Sequence, residues 1–326
     1  MAQSNEKIER RVLATLRFFD VQQQPLTLFE IHKYLLTALE DLQFGLDENY
    51  EMLMDSNVDV VPVAVAQVWE ILESLVRRRL VGVKLGYYYL PGKSHTVNIR
   101  LRNYHHALKR ERMIRRFVPL LRWFPFVRGV AIAGSQAGGL PKSNSDIDLF
   151  IMTNRYFLWL VRVCVTVYFQ ILGKRRHGKE VANRFCLNHY LGKPRSILEH
   201  RNLYTALEYV KLRAVVNSPV IFAFQFANLT WLRQVFPNFE PVELAPVFVS
   251  QLKFQAWLEK LLRNKTGHRI ETMLKNLFLQ RIKREKYIVV RDDELSLHPQ
   301  SKQEVVLEEF FKHYHPDHGE TVQLMV

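Results

Sequence analysis

Apolar residues recur at helical spacing through the first part of the chain. In IERRVLATLRFF, Ile8, Val12, Leu16 and Phe19 fall on one helix face. PLTLFEIHKYLL follows, with Thr27 suited to cap a helix and Glu30 three residues on, the pattern of a capping box. The acidic, irregular stretch over residues 39–59 predicts a loop, and VAQVWEILESLVRRRLV predicts a third amphipathic helix. GVKLGYYYLPG supplies two short β runs about Gly86, closed by Pro91-Gly92. Three helices and a hairpin in that order predict a winged-helix-like module over residues 1–95.

Residues 96–126 keep an apolar side through Leu108, Ile114, Val118 and Leu121, while Arg100, Arg102, Lys109, Arg110, Arg112, Arg115 and Arg116 fill the rest. They predict a basic linker helix, or two, ended by Pro125. Its arginines are open to two readings, a solvated face or partners for phosphates. Beyond it, strand-like runs at residues 127–133 and in DIDLFIM precede a buried helix, FLWLVRVCVTVYFQILG, which is too short to span a bilayer and carries Arg162 in its middle. RFCLNHYL reads as a short buried strand. Helical patterns then dominate, in NLYTALEYVKLRAVV, PVIFAFQFANLTWLRQVF, FVSQLKFQAWLEKLLRN and RIETMLKNLFLQRIKREK, with a β pair in YIVVRDDELSLH and a last helix in KQEVVLEEFFKHY. The fold class expected is α+β, with a core carrying a small mixed sheet over residues 127–195 and a helical C-terminal domain over 196–326.

Charge changes the picture. Lys and Arg number 46 against 32 acidic residues, a net +14, which favours anionic partners such as nucleotides or nucleic acid. DNA reading by the first module is weakly supported. Arg77, Arg78 and Arg79 sit at the C-terminal end of its third helix, where they complement the helix dipole without any ligand, and base-reading side chains cluster nearer the N-terminus. Cys164 and Cys186 lie among apolar neighbours and read as core residues, too few for a disulfide framework. Together with the polar start MAQSNEKIERR, they lead to the expectation of a cytoplasmic protein with no membrane association.

The candidate chemistry is concentrated in GVAIAGSQAGGLPKSNSDIDLFIM, residues 129–152. Strand carboxylates without partners are costly to bury, so Asp146 and Asp148 two residues apart call for a reason. The break at Gly134-Ser135 frees backbone N–H groups that, with the serine hydroxyl, can hold a phosphate; glycine there leaves room for a ligand to approach. Strand alternation puts Asp146, Asp148 and Phe150 on one face and Ile147, Leu149 and Ile151 on the other. Carboxylates about 7 Å apart along a strand can grip one divalent ion or two close ones. Mg²⁺ takes such oxygen ligands and completes its shell with phosphates, and a two-metal site can activate a hydroxyl and stabilise a leaving pyrophosphate.

A Gly-Ser at a strand end, ten residues of loop, and Asp-x-Asp between apolar residues resembles the nucleotidyltransferase superfamily of the polymerase β type; here these are Gly134-Ser135 and Asp146-Ile147-Asp148. The order of modules is similar to that of bacterial nucleotidyltransferase-domain proteins with an N-terminal winged helix. The resemblance implies a nucleotidyltransferase core at 127–195 that moves an NMP group from an NTP to a hydroxyl acceptor with Mg²⁺ or Mn²⁺. It implies that Gly134 and Ser135 meet the triphosphate, that Asp146 and Asp148 hold metal, and that a third acid comes from a later strand. That strand, RFCLNHYL, offers Asn188, which can ligate a metal but cannot take a proton. Glu180 and Glu199 flank it as substitutes, and His189 falls on the opposite face and reads as packed. The departure opens a second reading, a catalytically impaired nucleotide-binding or DNA-associated regulatory protein. Lys142 in the loop, and Arg155 and Arg162 in the next helix, are further candidates to reach phosphates. The acceptor stays open between a small molecule, an RNA end and a protein side chain, with the basic linker favouring RNA. His313, His315, Asp317 and His318 in the tail read as a weak, nonspecific metal cluster at most.

Overall fold

The computed structural model describes residues 2–39, 60–178, 180–193, 201–242, 252–280, 282, 288–297 and 301–312. Of the loop predicted at 39–59, Leu39 is buried in the core and residues 40–59 lie outside the described residues, as do Glu199 and the histidine-rich tail.

The chain opens with α1 (Ala2–Asp20), α2 (Leu28–Lys33) and α3 (Val65–Arg77). The capping box expected at α2 is formed: the Thr27 hydroxyl accepts from the Glu30 amide at 3.3 Å, and the Glu30 carboxylate accepts from the Thr27 amide at 2.9 Å. β1 (Gly82–Lys84) and β2 (Tyr87–Tyr89) pair antiparallel about Gly86, whose φ of +76° suits the turn. Tyr88 also bridges to Leu26, tying the hairpin back to the start of α2. The basic segment forms α4 (His95–Phe117) and then a 3-10 turn, Val118–Trp123. The α-helix therefore ends before Pro119, which has no N–H to continue it, and not at Pro125.

Among the described residues, six strands make one mixed sheet: β3 (Val127–Ile132), β4 (Ile147–Thr153), β5 (Phe185–Leu191), β6 (Arg213–Val216), β7 (Val289–Val290) and β8 (Glu294–Ser296), in the order β6-β3-β4-β5-β8-β7. Only β4 and β5 run parallel, and the buried helix α6 (Leu158–Ile171) makes the crossover between them. NLYTALEYVKLRAVV is not one helix. It divides into α7 (Leu203–Val210) and β6, because pairing with the edge of β3 captures the β-branched end of the segment. The sheet thus draws strands from beyond residue 195. The other elements are α5 (Gly134–Ala137), α8 (Ser218–Ala227), α9 (Leu229–Val235), α10 (Lys253–Leu262), α11 (Lys265–Leu279) and α12 (Ser301–Lys312).

Alternation along β3 and β4 separates two cores. Ile132, Ile147, Leu149 and Ile151 pack with α6 on one face. Ala131, Phe150 and Met152 pack on the other with α7, α8, α9, α12 and the N-terminal helices. The N-terminal elements share this second core: Phe18 of α1 meets Phe310 of α12 edge to face at 5.3 Å, and the Thr37 hydroxyl donates to the Gln234 carbonyl. On the first face, Glu259 of α10 is buried and accepts from both Arg128 guanidinium nitrogens and from the Phe126 amide, each at 2.7 Å.

Candidate functional site

β3 ends in a turn that only glycine fits. Gly134 has a φ of +61°, and a Cβ built there would stand 2.5 Å from Asp148 Oδ2. The glycine thus lets the carboxylate of β4 press against the backbone of the turn, a placement supported by the Ala133 amide donating to the Asp148 carbonyl at 3.0 Å. Gly134 and Ser135 begin the short α5, and the loop that follows is held by Arg110. This arginine, fully buried, donates to the carbonyls of Lys142, Ser143 and Ser145 at 2.8–3.0 Å and to Asn183 Oδ1 at 2.9 Å. Arg110 is therefore a clamp on the loop between serine and aspartates. Arg100, for its part, pairs with Glu30 at 2.6 Å and lies over the Tyr87 ring.

Asp146 immediately precedes β4 and Asp148 lies within it. Their carboxylate oxygens and the thiol of Cys186 come within 4.8 Å of one another. Cys186 sits opposite Asp148 in the β4–β5 ladder; the next pair is Phe150 with His189, so β5 uses three steps where β4 uses two. Asn188 falls in this bulge, and it is Cys186 that stands beside the aspartates. The same slip turns His189 onto the face of Phe150, whose ring lies 4.5 Å away, instead of the opposite face; it packs there also near Tyr209. Glu180 does not approach the aspartates' group in place of a third acid: it pairs with Arg184 and lies near His177.

Arg176, just after α6, reaches the same group. Its Nη1 is 2.5 Å from Asp146 Oδ2 and 3.6 Å from Cys186 Sγ. The main chain holds it there, since its amide donates to the Phe185 carbonyl at 3.0 Å. Burial above all, and then the two aspartates, push the Cys186 thiol far up, so it stays neutral. Asp146, Asp148 and Cys186 form a group that could hold a metal ion, its two carboxylates being hard oxygen donors and its thiol a soft one.

Gly134, Ser135 and Lys142 line a cleft of about 520 Å³, together with Tyr204, Glu208 and Lys211 of α7 and its C-cap. Tyr204, half-buried, stands beside Glu208. Burial first, then Glu208 and Asp148, raise its pKa well above the usual value and keep it a phenol. Lys211 Nζ lies 4.8 Å over the Phe19 ring, so the N-terminal helices contribute to this wall. Sequence reasoning missed Tyr204, Glu208 and Lys211, and also Cys186 and Arg176.

Arg162 is not part of this cleft. It belongs to α6, on the face of Ile147, Leu149 and Ile151, where its guanidinium approaches the Leu187 carbonyl at 3.5 Å and lies over the Tyr190 and Phe278 rings. Burial lowers its pKa, and aromatic faces take the place of the anionic partner expected for it. Arg155 lies over the Tyr156 ring, 4.8 Å from its centroid. Among the described residues, no helix is long and apolar enough to cross a membrane.

Comparison with family models, curated proteins and solved structures returns no significant match for this chain. The sheet, the turn and the cleft stand on their own geometry.

Proposed function

We propose that the chain is a nucleotidyltransferase of the polymerase β type, transferring the NMP group of an NTP to a hydroxyl acceptor. The observation that carries this reading is the Asp148 carboxylate packed against Gly134 at the edge of a cleft lined by Ser135 and Lys142. Ser135 and the ammonium groups of Lys142 and Lys211 are suited to the triphosphate. A divalent cation on the aspartates would neutralise the phosphates and acidify the acceptor hydroxyl. Glu208, on the cleft wall beside Tyr204, is the carboxylate suited to take the acceptor's proton, the role Asn188 cannot fill. The three N-terminal helices and the hairpin, with its Leu26–Tyr88 bridge, support the winged-helix reading of that module.

The test is incubation with each of the four NTPs, Mg²⁺ and candidate hydroxyl acceptors. Wild type is expected to release pyrophosphate and Asp148→Asn to release none. Equal release by both proteins, or nucleotide binding with none from wild type, contradicts the enzymatic reading. The second outcome is the one expected of a nucleotide-binding regulator. That alternative is favoured by one observation, the pairing of Asp146 with Arg176 beside a cysteine. Salt-dependent DNA binding that survives Asp148→Asn would point to it.

A further inference from the structure

We infer that Arg176 is a resident cation of the aspartate site, filling one of two cation positions so that the site takes a single divalent ion. This rests on the nucleotidyltransferase reading above. The side-chain hydrogen bonds of Arg176 go to Asp146 at 2.5 Å and Cys186 at 3.6 Å, and both residues belong to the three-donor group that could hold a metal. A guanidinium there occupies the space and satisfies the charge that an ion between Asp146 and Cys186 would require.

The position is built into the fold. The Arg176 amide donates to the carbonyl of Phe185, the residue before Cys186, and Arg175 bridges to the same Phe185. The segment leaving α6 is thereby held against the start of β5, and the guanidinium has a short reach to Asp146. Asp146 is mostly buried, at 15% side-chain exposure, so its pairing with Arg176 is weakly screened. Two carboxylates and one guanidinium leave one net negative charge, enough for one divalent ion completed by phosphate oxygens and poor for two. The ion would sit at Asp148, next to Gly134 and the mouth of the cleft. Arg176 would supply from the protein the positive charge that a second ion would otherwise bring, and Asp146 would serve mainly to orient it.

The count of ions per nucleotide tests this. Mn²⁺ is titrated into the protein with α,β-methylene-ATP as a non-hydrolysable probe, and bound metal is followed by electron paramagnetic resonance. Wild type is expected to hold one Mn²⁺ per bound nucleotide, Arg176→Lys also one, and Arg176→Gln two. Two ions in wild type, or one ion with unchanged affinity in Arg176→Gln, overturns the inference while leaving the nucleotidyltransferase reading intact. Failure of wild type to bind the nucleotide with Mn²⁺ overturns that reading instead. Should Arg176→Gln fail to fold, the wild-type count decides alone.

Discussion

The two faces of β4 use arginine in opposite ways. On the face of Ile147, Leu149 and Ile151, Arg162 ends against a carbonyl and two aromatic rings, and the buried carboxylate of Glu259 accepts from Arg128, Arg263 and the Phe126 amide. At the face and end that carry Asp148, Arg110 grips the loop carbonyls and Arg176 reaches Asp146, next to an open cleft. The difference teaches that an arginine's role follows from what its guanidinium meets. A buried cation needs compensation, but carbonyls and rings supply it as well as a phosphate does.

Three substitutions sharpen that contrast. The largest stability effect belongs to Glu259→Gln, which removes the charged partner of Arg128 and of Arg263. Breaking a pair with one fully buried member costs about 3 kcal/mol, readable by chemical denaturation, and nucleotide affinity of the folded protein should not change. Burial alone would raise the Glu259 pKa; the Arg128 and Phe126 hydrogen bonds outweigh it and hold the carboxyl below its ordinary value. A depressed folded-state pKa means that this stabilisation is present at neutral pH and fades as pH falls below about 4, so the acid limb of the wild-type stability curve should flatten in Glu259→Gln. Gly134→Ala comes next. Its positive φ costs about 1 kcal/mol, and the added methyl displaces the Asp148 carboxylate, so nucleotide binding should be lost while the melting temperature moves by only a few degrees. Arg162→Met is the smallest. An apolar chain of similar length suits its aromatic surroundings, and both stability and nucleotide binding should stay close to wild type, the stability within about 1 kcal/mol. Loss of nucleotide binding in Arg162→Met would erase the distinction between the faces.

Local signals were legible where chemistry and backbone lie close in the chain. The Thr27–Glu30 box, the turn at Gly134-Ser135 and the alternation after Asp146 each depend on neighbours a few residues apart. What escaped depends on pairing across the sheet. The choice between Cys186 and Asn188 is made by a bulge that no alternation pattern in RFCLNHYL reveals. RAVV continues a helical pattern until β3 captures it. In the sequence Arg176 follows a helical pattern, where a basic residue needs no ligand to explain it; the structure places it past the end of α6, and only the fold brings it to Asp146. Tyr204, Glu208 and Lys211 reach the cleft because β6 returns the chain beside β3, more than sixty residues after the serine turn.

The central claim is that Asp148 and the serine turn form one nucleotide site. Equilibrium dialysis of labelled ATP with Mg²⁺ tests it most directly, comparing wild type with Asp148→Asn and Ser135→Ala. The account predicts binding by wild type that falls at least tenfold in both variants and disappears when Mg²⁺ is chelated. Binding that is indifferent to both substitutions and to the metal would contradict it.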